Sequence, residues 1–169
     1  MISQHAHTTT PFLQKKFPIV IVCDAISSPA NIGGLFRISE ALGVEEIIFS
    51  GPEIDFSSNR LRRTARNTCK KVRYSFNEGL DSKLEQLTDD GFELIGLEIT
   101  NGSVPLNKLR LTSSKIAIII GNERNGVSEN ILKQMSQVYH IEMYGENSSM
   151  NVIQATGIAI YTVLQKLNL

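Results

Sequence analysis

The feature that most limits how this 169-residue chain can fold is a set of apolar, β-branched runs that do not alternate with polar residues. Ile116–Ala117–Ile118–Ile119–Ile120 is the purest. A strand with one solvated face alternates with period two, so unbroken apolarity predicts strands covered on both faces, as in a parallel sheet. Five apolar, β-branched runs read as buried strands: Ile19 to Cys23, Glu46 to Phe49, Glu93 to Ile99, Lys115 to Ile120 and Val138 to Met143. Helical patterns separate them at Ala30 to Leu42, Asn59 to Lys71, Leu80 to Thr88, Ser128 to Ser136 and Met150 to Leu167. The last bears a broad apolar stripe from Val152 to Leu167. Gly43, Gly91, Gly121 and Gly126 stand at the junctions. The alternation predicts a single α/β domain over residues 18–169, with a mostly parallel sheet flanked by helices, after a flexible N-terminal tail over 1–17.

Several function classes fall away. No stretch approaches the roughly 20 apolar residues of a membrane span, and Met1 to Phe17 is polar and Thr-rich, unlike a secretory signal. Cys23 and Cys69 have no metal-ligand spacing and cannot make a disulfide framework. Cys23 lies in an apolar run and reads as a reduced core residue, which predicts a cytoplasmic protein. His5, His7 and His140 are joined by no Asp/Glu/Cys cluster, so no metal is expected. The 17 basic and 17 acidic residues cancel, so no global basic signal points to nucleic acid.

Ligands of such sheets sit beyond the carboxyl ends of strands, and three segments there are chemically unusual. Ser28–Pro29–Ala30–Asn31–Ile32–Gly33–Gly34–Leu35–Phe36–Arg37 follows the first strand and opens a helix. An Asn-capped helix with Arg37 paired to Glu40 would also explain it. No Gly-x-Gly-x-x-Gly occurs, so it is no dinucleotide fingerprint. Gly121–Asn122–Glu123–Arg124–Asn125–Gly126 follows the most apolar strand; a turn explains its glycines, but an acid at the end of a buried strand has few structural reasons to be there. Ile141 to Val152 is a polar, Gly-containing loop in which Ser149 could cap the final helix, whereas Asn151 is harder to dismiss.

Separately these are weak signals, but their order and spacing are specific. Asn31-x-Gly33-x-x-x-Arg37, Gly121-Asn122-Glu123-x-x-Gly126 and Ile141-x-Met143-x-Gly145-x-x-x-Ser149-Met150-Asn151-Val152 together resemble the three signature motifs of the SpoU (TrmH) family of RNA ribose 2′-O-methyltransferases. The resemblance runs from about Pro18 to Leu167. It implies a C-terminal trefoil knot, a feature nearly absent from proteins at large, a homodimer, and S-adenosylmethionine as cofactor. By position, Leu97, Glu98, Gly121, Ile141, Met143, Ser149 and Met150 would surround that cofactor. Arg37 matches the arginine assigned to the acceptor ribose, supported by Asn31, Glu123, Ser149 and Asn151.

The family scheme makes this arginine the general base, yet a guanidinium is essentially never deprotonated in proteins. Either the pocket and a phosphate contact perturb Arg37, or it orients the ribose while a neighbouring oxygen or solvent takes the proton. The third motif departs from the family pattern: Glu142 stands where proline is common, Met150 where leucine is, and Ile153 where a serine is. Met for Leu keeps size and apolarity; the other two bear on substrate choice.

The zero net charge hides an asymmetry. Arg60, Arg62, Arg63, Arg66, Lys70, Lys71 and Arg73 fall in a window with no acid, leaving ten basic against 17 acidic residues elsewhere. At helical spacing Arg62, Arg66, Lys70 and Arg73 share one face, predicting a surface for the phosphates of tRNA or rRNA; a solvated helix face is the bland alternative. Longer members of the family carry an added RNA-binding domain, so recognition here is expected to rest on this block and on RNA shape. Competing readings are a non-catalytic RNA- or nucleotide-binding α/β module with the same fold, and a structural dimerisation protein.

Overall fold

The computed structural model describes residues 12–167; most of the expected tail, with His5 and His7, lies outside the described residues. Seven strands form one sheet: β1 (Phe17–Asp24), β2 (Val44–Ser50), β3 (Arg73–Asn77), β4 (Phe92–Leu97), β5 (Val104–Pro105), β6 (Lys115–Gly121) and β7 (Gln137–His140). Their order is β3-β2-β1-β6-β4-β7-β5 and every pairing is parallel. Ile21 lies between Ile47 and Ile118 in the central register. Five helices accompany it: α1 (Pro29–Ala41), α2 (Asn59–Ala65), α3 (Asp81–Asp89), α4 (Glu129–Leu132) and α5 (Val152–Leu167).

The unbroken apolar runs have the expected cause. Ile19, Ile21 and Cys23 point to one core with Leu35, Phe36, Ile160 and Val163 of α1 and α5. Val20, Val22, Ala117 and Ile119 point to a second core with Leu84, Leu87 and Ile131 of α3 and α4. Both faces of the central strands are therefore dry. Pro29 fits the first turn of α1, where its missing N–H costs nothing. Gly33 lets α2 cross α1 closely, since a Cβ there would meet the Leu61 carbonyl at 2.6 Å and Thr64 Cβ at 3.0 Å. Among the described residues, no helix is long and apolar enough to cross a membrane.

Several elements differ from the sequence expectations, among them the helix expected over 128–136, which spans only Glu129–Leu132. The helix expected over 59–71 ends at Ala65, because Arg66 (φ 48°) and Asn67 (φ 68°) are left-handed; a 3₁₀ turn (Thr68–Lys70) and β3 follow. Arg62, Arg66, Lys70 and Arg73 therefore share no helical face. Lys71 and Arg73 are also engaged: Lys71 pairs with Glu40 at 3.2 Å, and Arg73 with Glu45 and Glu46 at 3.2 and 3.0 Å. Glu40 thus pairs with Lys71, and the Arg37–Glu40 pair of the alternative reading does not form among the described residues. The runs around 93–99 and 138–143 leave the sheet at Leu97 and His140, where each chain turns into a loop. Finally, α5 is capped by Asn151, whose Oδ1 accepts the Ile153 N–H at 2.9 Å, and not by Ser149.

Candidate functional site

The carboxyl ends of β4, β6 and β7, with the starts of α1 and α5, surround one cavity of about 380 Å³. Its wall includes all seven positions expected at the cofactor, Leu97, Glu98, Gly121, Ile141, Met143, Ser149 and Met150, together with Asn31, Glu123 and Asn151. Residues more than 100 positions apart thus meet because parallel strands end on the same edge.

Hydrogen bonds lace these loops together. The loop after β6 is a tight turn in which Asn122 and Gly126 bridge each other at 3.0 and 2.9 Å. A Cβ at Gly121 would overlap the Gly126 carbonyl carbon and the Val127 nitrogen, so this closure needs glycine. Asn122 Nδ2 donates to the Ala25 carbonyl at 2.7 Å, tying the turn to the end of β1. Glu123 receives the N–H groups of Ser28 (3.0 Å) and Ser27 (3.3 Å) and Asn31 Nδ2 (2.9 Å). Asn31 Oδ1 in turn accepts Asn151 Nδ2 at 3.0 Å, joining α1 to the start of α5. Asn31 is no helix cap; its side chain is a link between two loops. Partial burial disfavours the Glu123 carboxylate, but these donors outweigh burial and hold its pKa below the ordinary carboxylate value.

The β4–β5 loop supplies two more links. Glu98 accepts the Val127 N–H at 3.1 Å and its neighbour Ile99 N–H at 2.8 Å, fixing the β6 loop to β4. Ser103 Oγ meets His140 Nδ1 at 2.9 Å, and Ser103 is itself anchored to Thr100. This second link joins the β4–β5 loop to β7. Sequence reading missed Asn122, Ser103 and His140. For Asn122 the signal was its place beside Glu123 between two glycines; Ser103 and His140 carried none.

Arg37 stands apart. It is exposed and does not line the cavity. It lies on a shallow groove between α1 and α5 with Gly34, Ile38, Ile153 and Gly157, and Met150 borders both spaces. Ser149 lines the cavity without a hydrogen bond among the described residues.

Residues present fit S-adenosylmethionine in size and chemistry. The cavity volume lies within the roughly 300–1,000 Å³ of small-molecule sites. Leu97, Ile141, Met143, Met150 and Val152 give apolar walls, Glu98 and Glu123 offer carboxylates suited to a cationic sulfonium, and Arg124 and His140 suit a carboxylate.

A parallel α/β domain with a loop-built cavity beyond its strand ends defines a ligand-binding class of fold. Comparison narrows the class: the model of the SpoU rRNA Methylase family matches residues 18–161, and the chain belongs to that family. It is 26% identical over 142 residues to the 23S rRNA (guanosine(2553)-2′-O)-methyltransferase of Bacillus subtilis, a match covering 84% of this chain and 56% of that one. The chain thus spans little more than half of this relative. Its fold matches the A. aeolicus TrmH/SpoU tRNA modifying enzyme with a TM-score of 0.81 at 22% identity, covering 92% of this chain and 78% of that one. The AdoMet-bound rRNA methyltransferase of Sinorhizobium meliloti matches with a TM-score of 0.80 at 20% identity, covering 91% and 58%.

Proposed function

We propose that this chain is an S-adenosylmethionine-dependent methyltransferase acting on a ribose 2′-hydroxyl of tRNA or rRNA. The observation that carries the reading is the convergence of all seven expected cofactor positions on one cavity that also holds Asn31, Glu123 and Asn151. Family membership and the names of the relatives support the same chemistry. When bound, the cofactor supplies an electrophilic methyl group on a sulfonium.

The chain's own residues supply position. Leu97, Glu98, Gly121, Ile141, Met143, Ser149 and Met150 hold the cofactor. Arg37 engages the acceptor nucleotide from the adjoining groove and orients its ribose, while solvent or a neighbouring oxygen takes the proton. Asn31, Glu123 and Asn151 fix the start of α1 and hence Arg37, with Ser149 at the cavity rim. Most of the rate gain comes from alignment, which can supply large effective molarities.

Two features complete the reading. The β4–β5 connection spans the end of β7, which lies between those strands, so the chain leaving β7 must pass it; this supports the trefoil knot of the family. The α1/α5 groove exposes Ile158 (43%) and Tyr161 (57%), a surface suited to a second copy in a homodimer that would bring a partner against Arg37. Arg60, Arg62, Arg63, Arg66 and Lys70 are exposed, make no ion pair among the described residues, and serve as phosphate contacts; Lys71 and Arg73 contribute less because they are paired.

Calorimetry with S-adenosylmethionine and tritium transfer to total tRNA and rRNA test the proposal. Cofactor binding with transfer is expected; absence of both would refute it.

A further inference from the structure

The uncommitted basic segment is bracketed by aromatic rings. The chain leaves a ring cluster at Phe56, makes the turn bearing Arg60, Arg62, Arg63, Arg66 and Lys70, and returns to the same cluster at Tyr74. Phe56 and Tyr74 lie 5.2 Å apart between centroids, Phe56 and Phe76 6.5 Å, and Tyr74 and Phe76 5.9 Å. Phe49 stacks on Phe76 at 5.7 Å, and Phe36 meets Tyr74 edge-on at 5.3 Å. Phe36 and Phe49 are buried, but Tyr74 is 38% exposed and Phe76 49% exposed.

β3 is an edge strand, paired only with β2, and edges of this kind are usually guarded by charge or covered. Here the edge shows two aromatic rings backed by three more, a rigid and weakly hydrated surface. Asp55, before the segment, turns back to accept Ser57 N–H and Oγ. Tyr74 and Phe76 stand edge to face at 88°, so each offers its own partly exposed ring. Beside five cations that make no ion pair among the described residues, separate exposed rings match a polyanion with exposed flat faces, which describes unstacked nucleotides of a single strand. A duplex keeps its base faces hidden.

Placement links the surface to the site. Phe36, which touches Tyr74, precedes Arg37 in α1. β3 lies two strand spacings from β1, roughly 10 Å, and both strands end on the side of the cavity. We infer that Tyr74 and Phe76 form a stacking platform for single-stranded nucleotides flanking the methylated ribose, with the 60–70 turn holding their phosphates. This rests on the RNA reading above and adds the form of RNA that is bound.

The test is fluorescence anisotropy on a short single-stranded RNA and on its duplex, with wild type and the Tyr74→Leu/Phe76→Leu variant, whose leucines keep apolar bulk. Single-strand affinity should fall about tenfold per lost stack, while duplex affinity and the salt slope stay unchanged because the cations remain. Arg62→Glu/Arg66→Glu should instead weaken both and flatten the slope. The chain has no tryptophan, so tyrosine emission is readable. Single-stranded RNA should quench wild type more than Tyr74→Phe, a variant that leaves the packing intact. Unchanged single-strand binding, equal loss for duplex, equal quenching of Tyr74→Phe, or a shift in oligomeric state with the ring variant would each overturn the platform. Failure of wild type to bind any RNA would instead overturn the methyltransferase reading.

Discussion

The cavity and the Arg37 groove adjoin, yet they are built by opposite means. Around the cavity almost every polar side chain is committed: Glu123 to Ser27, Ser28 and Asn31, Asn31 to Asn151, Glu98 to Val127, Ser103 to His140. Arg37, in contrast, is exposed and faces the groove between α1 and α5. A lattice held within one chain suits a ligand that must be positioned before reaction, since ordering costs are met on folding. An uncommitted cation suits a partner that arrives from outside. The contrast teaches that cofactor binding and acceptor binding should separate under mutation.

Arg37→Ala should show that separation most sharply. Methyl transfer should fall by about 10²- to 10⁴-fold while the Kd for S-adenosylmethionine moves less than about twofold. A parallel loss of both would break the comparison. Next in size, Ile158→Asp/Tyr161→Asp should convert a dimer to a monomer by light scattering and lower transfer at least tenfold, with cofactor binding retained. Glu123→Gln removes the charge that gathers three donors; transfer should drop about tenfold, with a smaller loss of cofactor affinity. Ser103→Ala should raise the cofactor Kd about two- to fivefold, the scale of one neutral hydrogen bond, and leave RNA affinity unchanged.

The smallest effect is on pH dependence. The folded-state pKa of Glu123 lies below the unfolded value. Its stabilising contribution is therefore complete above the unfolded pKa, about 4.3, and is lost as pH falls through the folded value. The melting-temperature gap between wild type and Glu123→Gln should be constant near neutrality and shrink below about pH 4.3. A gap that widened on acidification would contradict the hydrogen-bond account.

The two regions also differed in how legible they were. Central strands showed plainly because burial on both faces leaves no polar position, as at Ile116 to Ile120. β3 was missed because Arg73–Tyr74–Ser75–Phe76–Asn77 is short, mixed and at an edge, and its two exposed rings carry meaning only in space. The helix over 59–71 was overextended because its breakers, Arg66 and Asn67, hold left-handed backbone without a glycine to announce it. Which motif positions meet at the cavity was legible in motif order, but their hydrogen-bond connectivity was not. Asn31 reads locally as a cap, and only the fold brings it to Glu123, 92 positions away, and to Asn151, 120 positions away.

The most direct test of the central claim is where the methyl group lands. Purified protein, tritiated S-adenosylmethionine and total tRNA and rRNA are incubated, and the RNA is then hydrolysed in alkali. A 2′-O-methyl blocks cleavage at its own linkage, so the account predicts label in alkali-resistant dinucleotides, reduced about 100-fold or more after Arg37→Ala. Label in mononucleotides, marking a methylated base, or no label in either RNA would contradict it.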